Sequence, residues 1–398
     1  MIEVKDKSDC CGCHACATAC AKHCITMQTD EEGFFYPVVD KDACTNCGLC
    51  EKVCPVLNQS EPRKPLKVFA AKNPNEEIRR QSSSGGIFTL LAEKVIAEGG
   101  VVFGARFDEE WNVIHSWTDT IEGIAAFRGS KYVQSRIGDT YREAREFLKQ
   151  GRKVLFSGTP CQIAGLKKYL RKEYDNLLTV DFICHGVPSP GVWQRFLNEF
   201  RENIKSESVG DSPVITGVSF RDKRNGWKKY IFCLHYVSST ITEEQEFILP
   251  VTENAFLQGF LRNVYLRPSC HACSVKSGKS DSDITIADAW GLNQFAPEYD
   301  DDKGTCYILE NTEVGSRSML QLQFDSYPVN LDKVYRYNSA YVNSSKPNSK
   351  RRQFFKLYSK GTTTIEFAVQ KVLTPNCINK LKQGVKTSLA PIKRILFK

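Results

Sequence analysis

The sequence predicts a mixed α+β and α/β protein: a small cysteine-rich N-terminal domain followed by a larger mixed α/β domain. Three observations carry this. Two cysteine runs of identical spacing open the chain, Cys10-x2-Cys13-x2-Cys16-x3-Cys20 and Cys44-x2-Cys47-x2-Cys50-x3-Cys54. Residues 58–67 (NQSEPRKPLK) then form a polar, proline-bearing linker. Beyond it, apolar segments at helical spacing alternate with short β-rich runs, the pattern of a sheet with helices on its faces.

Residues 1–57 make the first domain. Gaps of two, two and three residues, with Pro55 after Cys54, are the signature of a two-cluster bacterial ferredoxin. In that arrangement three sulfurs of one run hold one 4Fe-4S cube and the fourth crosses to its neighbour. The expected ligand sets are therefore Cys10, Cys13, Cys16 and Cys54, and Cys44, Cys47, Cys50 and Cys20. Ala21 stands where the first run should carry proline, a departure that the second run does not share. Cys11 and Cys24 are left over and read as small packing residues. Zinc is the rival reading, but zinc pairs usually stand further apart. Gly33–Asp40 reads as a short strand or hairpin arm. So small a domain builds little core, and the clusters would act as that core.

Residues 68–150 and 151–345 form the larger domain in two parts. Ile87, Leu90, Leu91 and Val95 lie at helical spacing over 87–97, and Gly99-Gly100 ends that helix. Val101–Phe107 and Val113–Trp117 read as strands, and Asp139–Gln150 as a charged helix. A βαβ unit follows. Lys153–Phe156 is a buried strand, Thr159 and Pro160 start a helix running to about Leu170, and Leu177–Ile183 is the next parallel strand. Pro190–Phe200 is helical. Val214–Phe220, Lys229–Val237 and Glu246–Val251 are strands of a mixed sheet. Ala255–Arg262 is a helix and Asp283–Ala287 a strand.

Four more cysteines can be grouped. Cys161 and Cys184 follow the C-terminal ends of neighbouring parallel strands, the edge where ligands gather in open α/β sheets. Cys270-x2-Cys273 is a metal-type pair. Together they would supply four thiolates to a third cube; the plainer alternative is that only the pair binds anything. Cys233, Cys306 and Cys377 have no motif partners.

Six stretches carry a resemblance: SSSGGIFTLLAEKVI (82–96), RGSKYVQS (128–135), FSGTPCQIAGLKKYL (156–170), VDFICHGVPSP (180–190), RPSCHAC (267–273) and DITIADAWG (283–291). Their combination resembles the family of coenzyme F420 hydrogenase and dehydrogenase beta subunits, which includes a plant chlorophyll reductase branch. The N-terminal domain resembles a fusion found in many bacterial members. The resemblance implies an iron–sulfur flavoprotein oxidoreductase, with the larger domain binding FAD and a 4Fe-4S cluster on Cys161, Cys184, Cys270 and Cys273. A flavin site has a physical counterpart in Ser83, Ser84, Gly85 and Gly86. This segment opens a helix, whose N–H groups can hold a pyrophosphate. Lys131 and Tyr132 would add a cation and an aromatic surface. The plain alternative is a helix cap with small residues. No GxGxxG fingerprint is present. No catalytic residue is assigned. His185, Asp288, Trp290 and the basic loop Arg221, Lys223, Arg224 and Trp227 are candidates to line the site or meet an anion, and each has an ordinary structural reading.

Composition bounds the rest. Seventeen cysteines, and a charged Met1–Asp9 without an apolar signal core, point to a reducing cytoplasm. No stretch reaches eighteen uninterrupted apolar residues. The net charge of +8 is concentrated in residues 346–398, where thirteen Lys or Arg face the single acid Glu366. This basic helical tail is expected to lie on the inner face of a membrane, to dock a partner, or to pack on the main domain. No nucleic-acid module accompanies it.

The resulting expectation is an electron relay. A ferredoxin or an oxidoreductase subunit loads the N-terminal cubes, and electrons pass through the third cube to FAD. The organic acceptor is coenzyme F420-like or a polysaccharide-pathway intermediate. Two alternatives are an electron-transfer subunit that serves a partner enzyme and a non-redox zinc scaffold.

Overall fold

The N-terminal unit is built from helix α1 (Ala15–Ala19), strands β1 (Ile25–Thr29) and β2 (Phe35–Val39), and helix α2 (Leu49–Lys52). The computed structural model describes residues 1–207, 212–238, 241–320 and 322–374. β1 pairs antiparallel with β2, Ile25 opposite Val39 and Thr29 opposite Phe35. Sequence reading finds β2 but not β1, because ITMQT buries only Ile25 and shows little apolar alternation.

The chain continues through β3 (Lys67–Lys72), α3 (Glu76–Gln81), α4 (Ile87–Ala97), β4 (Val101–Phe107), β5 (Val113–Thr118), α5 (Thr140–Lys149), β6 (Val154–Ser157), α6 (Pro160–Leu170), β7 (Leu177–Phe182) and α7 (Pro190–Glu207). Then come β8 (Val214–Asp222), β9 (Ile231–Ser238), β10 (Ile241–Pro250), α8 (Ala255–Leu261), β11 (Ile284–Asp288), β12 (Cys306–Glu310), α9 (Glu313–Met319), β13 (Asp325–Pro328), α10 (Leu331–Tyr337), α11 (Arg351–Tyr358) and α12 (Ile365–Leu373).

Eight strands form one mixed sheet in the order β13-β3-β12-β11-β7-β6-β4-β5. β4, β6, β7 and β11 run parallel at its centre, and the outer strands pair antiparallel. The central strands are continuous apolar runs because both faces are covered. Val101, Val102, Phe103, Leu155 and Phe156 are fully buried. On one face Ile87, Leu91 and Val95 of α4 pack against Leu155, Leu178 and Ile284. On the other, Tyr141 and Leu148 of α5 and Ile163 and Leu166 of α6 pack against Phe103 and Phe156. Cys13, Ala15 and Val53 of the N-terminal unit join that same core, so the unit rests on α5 and α6. The linker is pinned as well: Arg63 pairs with Asp281 at 3.3 Å, and the Leu66 N–H donates to the Glu310 carbonyl at 2.6 Å.

A second sheet, β10-β9-β8, is antiparallel. It shares an aromatic core with α7, α8, α11 and α12, centred on Trp193, Phe220, Phe232 and Phe256. The Trp193 and Phe256 rings meet edge-on at 5.1 Å. Phe354, Phe355, Ile365, Val369 and Val372 belong to this core, with Leu357 partly buried against it.

For residues 346–374 that packing matches the third expectation, a helical tail packed on the main domain. From 346 to 374 the apolar side chains are already covered by the protein's own core, and Phe367 is the one of the set left exposed. Pro375, Cys377 and the rest of the basic tail lie outside the described residues. Among the described residues no helix is long and apolar enough to cross a membrane. Because Ile365 is fully buried, Ile365→Val should cost about 0.5–1.5 kcal/mol, read as a lowered urea midpoint with an unchanged slope.

Candidate functional site

Each cysteine run turns on left-handed backbone at the residues flanking its second cysteine. Gly12 (φ 67°) and His14 (φ 64°) flank Cys13; Asn46 (φ 54°) and Gly48 (φ 72°) flank Cys47. Alternation of this kind turns successive N–H groups into an anion-binding concavity, as at many iron–sulfur sites. Glycine is required at position 12 for a second reason. A Cβ there would lie 2.5 Å from Gln134 Nε2 and 2.9 Å from Arg267 Cζ.

The thiols gather in groups. Cys16 faces Cys10 and Cys54, and Cys13 faces Cys16 and Cys54. The last cysteine of the second run thus lies among the first three of the first run. Burial pushes the Cys16 thiol up to about 12. In the other group Cys20 Sγ lies 3.3 Å from Cys24 Sγ, and Cys24 also meets Cys44. The N-terminal ammonium faces Cys44 and Cys50, and the Ile2 N–H donates to Cys50 Sγ at 3.3 Å. Cys47 is exposed at the rim. Contact with the Cys20 sulfur, more than burial, holds the Cys24 thiol up near 12. Cys11 and Cys24 pack in the apolar clusters around the cysteine runs, and both also meet sulfurs of those runs. Cys24 touches Cys20, and Cys11 touches both Cys13 and Cys161.

Cys161, Cys184, Cys270 and Cys273 come from three separate stretches and converge. Cys161 sits in the first turn of α6, after a capping box in which Thr159 and Gln162 satisfy each other. Its Sγ lies 3.2 Å from Thr159 Oγ1. Cys184 follows β7 by two residues. Cys270 lies within, and Cys273 directly after, the 3-10 turn Pro268–Ala272. Cys184 faces Cys270, Cys161 and Cys273, and Cys270 faces Cys161 and Cys273. Contact with Cys11, then burial, raises the Cys161 thiol well above its ordinary value; burial raises Cys184, and takes Cys270 to about 12. The Val187 N–H donates to Cys270 Sγ at 3.4 Å.

A cavity of about 570 Å³ opens at the C-terminal edge of β6, β7 and β11, and Cys184 and His185 form part of its wall. Ser83, Ser84, Gly86, Lys131 and Tyr132 also line it. Two details differ from the sequence reading. The cap of α4 is Gly86 in left-handed conformation (φ 78°), with no hydroxyl on the helix end. The Ser84 hydroxyl donates to the Thr305 carbonyl at 2.6 Å, and Ser83 accepts from Ser130 at 2.9 Å. Gly85 faces away, where a Cβ would meet the Ala71 carbonyl at 2.5 Å. Lys131 is not a free cation: its ammonium donates to the carbonyls of Ala126 and Arg128 at 2.8 and 2.7 Å, and burial lowers it to about 7.

Arg221 is the buried cation of the cavity. Its Nη1 donates to Asp288 Oδ2 at 2.6 Å, while Nε and Nη2 are buried with no partner. Around it, Trp227 and Trp290 stack at 4.4 Å, and the Tyr230 ring lies 4.7 Å from Cζ. The sequence marks Arg221, Asp288, Trp227 and Trp290 as candidates but carries no signal for their pairing. Neighbouring Arg224 and Lys223 turn elsewhere. Lys223 donates to backbone carbonyls, and Arg224 grips Glu246 through two bonds of 2.7 Å. The ligand atoms of Cys233, His235 and Glu246 lie within 4.8 Å of one another, and Arg224 reaches the Cys233 sulfur at 3.9 Å as well as Glu246. His185 shares a hydrogen bond of 2.7 Å with Asn263 Oδ1, and burial lowers its pKa.

Residues 68–140 match the family model described as coenzyme F420 hydrogenase/dehydrogenase, beta subunit N-term, and residues 151–327 match the model of the C-terminal part of the same beta subunit. The chain belongs to this family. Residues 9–58 match a 4Fe-4S dicluster domain. The family of coenzyme F420 hydrogenase/dehydrogenase beta subunits is one of iron–sulfur electron-transfer proteins with an oxidoreductase role. A curated relative, the F subunit of the F(420)H(2) dehydrogenase of Methanosarcina mazei, is 24% identical over 198 residues, 46% of this chain. The match spans 55%, about half, of that relative's length. Among solved structures, a chain of the F420-reducing [NiFe] hydrogenase complex from Methanosarcina barkeri aligns at a TM-score of 0.47 and 17% identity. That alignment covers 76% of this chain and 96% of the other.

Proposed function

We propose that this family member is an iron–sulfur flavoprotein passing single electrons through three 4Fe-4S clusters to or from FAD and an organic acceptor. The observation that carries the reading is the convergence of Cys161, Cys184, Cys270 and Cys273 between two other features. Cys184 lines the cavity, and Cys161 touches Cys11 of the two-run domain. Four mutually facing, half-buried thiols repel one another once deprotonated, so a cationic iron centre suits them.

Cys10, Cys13, Cys16 and Cys54 would hold the first cube, and Cys20, Cys44, Cys47 and Cys50 the second. A flavin bound in the cavity would supply the exchange between single electrons and electron pairs. The chain's own residues would orient it. Backbone N–H groups at Ser83, Ser84 and Gly86 suit a pyrophosphate, the Gly85 N–H being taken by Cys306 Sγ; Trp290 and Tyr132 offer aromatic walls, and the open fork of Arg221 suits two adjacent acceptor atoms. Loss of a charge-assisted hydrogen bond costs about 1.5–3 kcal/mol. Arg221→Gln should therefore weaken FAD binding about 10–100-fold, measured by flavin fluorescence titration.

The names of the relatives favour a coenzyme F420-like acceptor over a polysaccharide-pathway intermediate. The match to one subunit of a dehydrogenase also favours a second reading, an electron-transfer protein whose flavin serves a partner enzyme. Anaerobic mixing of the dithionite-reduced chain with a deazaflavin separates them. Reoxidation of the chain alone supports its own substrate site. Reoxidation only with an added hydrogenase or dehydrogenase partner supports the second reading, and reoxidation by neither contradicts both.

A further inference from the structure

Arg267 is fully buried, yet among the described residues no carboxylate lies within ion-pair distance of it. A buried cation is costly unless an opposite charge compensates it. Every donor group of its guanidinium faces the cysteine-run domain or its seat. Nε donates to the Cys10 carbonyl at 2.8 Å, Nη1 to Gln134 Oε1 at 3.0 Å, and Nη2 to the Phe35 carbonyl at 2.9 Å. Nη2 also lies 3.5 Å from Cys10 Sγ. The Tyr36 ring covers the guanidinium at 4.2 Å. The groups that can carry negative charge beside it are the sulfurs of Cys10, Cys11 and Cys270, together with the Tyr36 hydroxyl. Through its own backbone Arg267 leads into the turn Pro268–Ala272 that carries Cys270.

We propose that Arg267 is the shared counter-ion of the first N-terminal cube and the third cube, and that it sets the potential at which electrons cross between the two domains. This rests on the cluster assignment above. A cube held by four thiolates is anionic and gains one more negative charge on reduction. A fixed cation and an N–H···S contact both favour the reduced form and raise the potential. The crossing moves one electron from the reduced first cube to the oxidised third cube, with no proton transferred and no bond made or broken. Arg267 is a positioning residue: it acts through the sulfurs.

The test is an EPR-monitored redox titration of the full chain, purified anaerobically, with iron and sulfide counted. Arg267→Gln should lower the potentials of the first and third cubes, while the cube of Cys20, Cys44, Cys47 and Cys50 keeps its own. The expected size is about tenfold in the reduced-to-oxidised ratio at fixed ambient potential, about 59 mV for one electron. Arg267→Lys, which keeps the charge, should shift less. If Arg267→Gln loses iron, Gln134→Glu places a carboxylate on Nη1 without removing the guanidinium and should lower the same two potentials. Loaded variants with all three potentials unchanged overturn the proposal. A wild-type chain without iron or sulfide removes the cluster assignment instead, a distinguishable failure.

Discussion

A Cys161→Ser chain purified without oxygen should hold about eight irons where the unaltered chain should hold about twelve, four per cube. Cys161 is the thiol that faces both ways. It meets Cys184, Cys270 and Cys273 on one side and Cys11 on the other. Serine offers a harder, shorter oxygen in a pocket built for sulfur, and its neighbours cannot close in because Cys184 follows β7 while Cys270 and Cys273 are held on the separate turn Pro268–Ala272. The two N-terminal cubes should keep their EPR signals. Electron transfer from them to bound flavin should slow by more than the ~10–100-fold that follows loss of a supporting residue at a metal site. Stopped-flow reduction, following flavin bleaching, reads that rate. Unchanged iron and an unchanged rate would mean that Cys161 is an ordinary core thiol.

Gly165→Leu should separate the two domains without removing any ligand. Gly165 lies on α6, one turn beyond Cys161. A Cβ at this position would come within 3.0 Å of the Cys13 Cβ and Sγ and of the Tyr141 hydroxyl. The Cys13 contacts are with the cluster loop itself and cannot yield without moving it. Overpacking of this kind costs about 1–3 kcal/mol. Here the strain falls on the seat of residues 1–57 rather than on the central sheet. Hydrogen exchange should rise in the N-terminal domain and along α6 while β4, β6 and β7 stay protected, and reduction of the flavin should slow. Equal protection of both regions with native kinetics would show that the helix does not carry the domain.

The parts of the fold legible in the sequence are those where one local signal dominates. Apolar spacing and Gly99-Gly100 delimit α4, and Ile87–Ala97 is the helix observed. Thr159-Pro160 sets the start of α6. The parallel pairing of Lys153–Phe156 with Leu177–Ile183 follows from strand–helix–strand alternation and is the pairing observed. The missed strands lack such signals. β3 and β12 pair antiparallel over more than two hundred residues of sequence, a contact that no local pattern reports.

At the candidate site, residue types are legible and orientations are not. Ser83, Ser84 and Lys131 do line the cavity, but the distant Thr305 carbonyl takes up the Ser84 hydroxyl and the adjoining carbonyls of Ala126 and Arg128 take up the Lys131 ammonium. Arg267 leaves no distinguishing mark in RPSCHAC, since its significance lies in there being no acid within ion-pair distance of it among the described residues. The aromatic positions of 354–369 read equally as an exposed face or as core, and only the placement of α7 and α8 over them decides for core.

Iron, acid-labile sulfide and flavin, counted per chain after anaerobic purification of the correctly folded protein, test the relay most directly. The expected result is about twelve irons with matching sulfide, together with one FAD. Zinc on the cysteines, no sulfide and no yellow chromophore would contradict it.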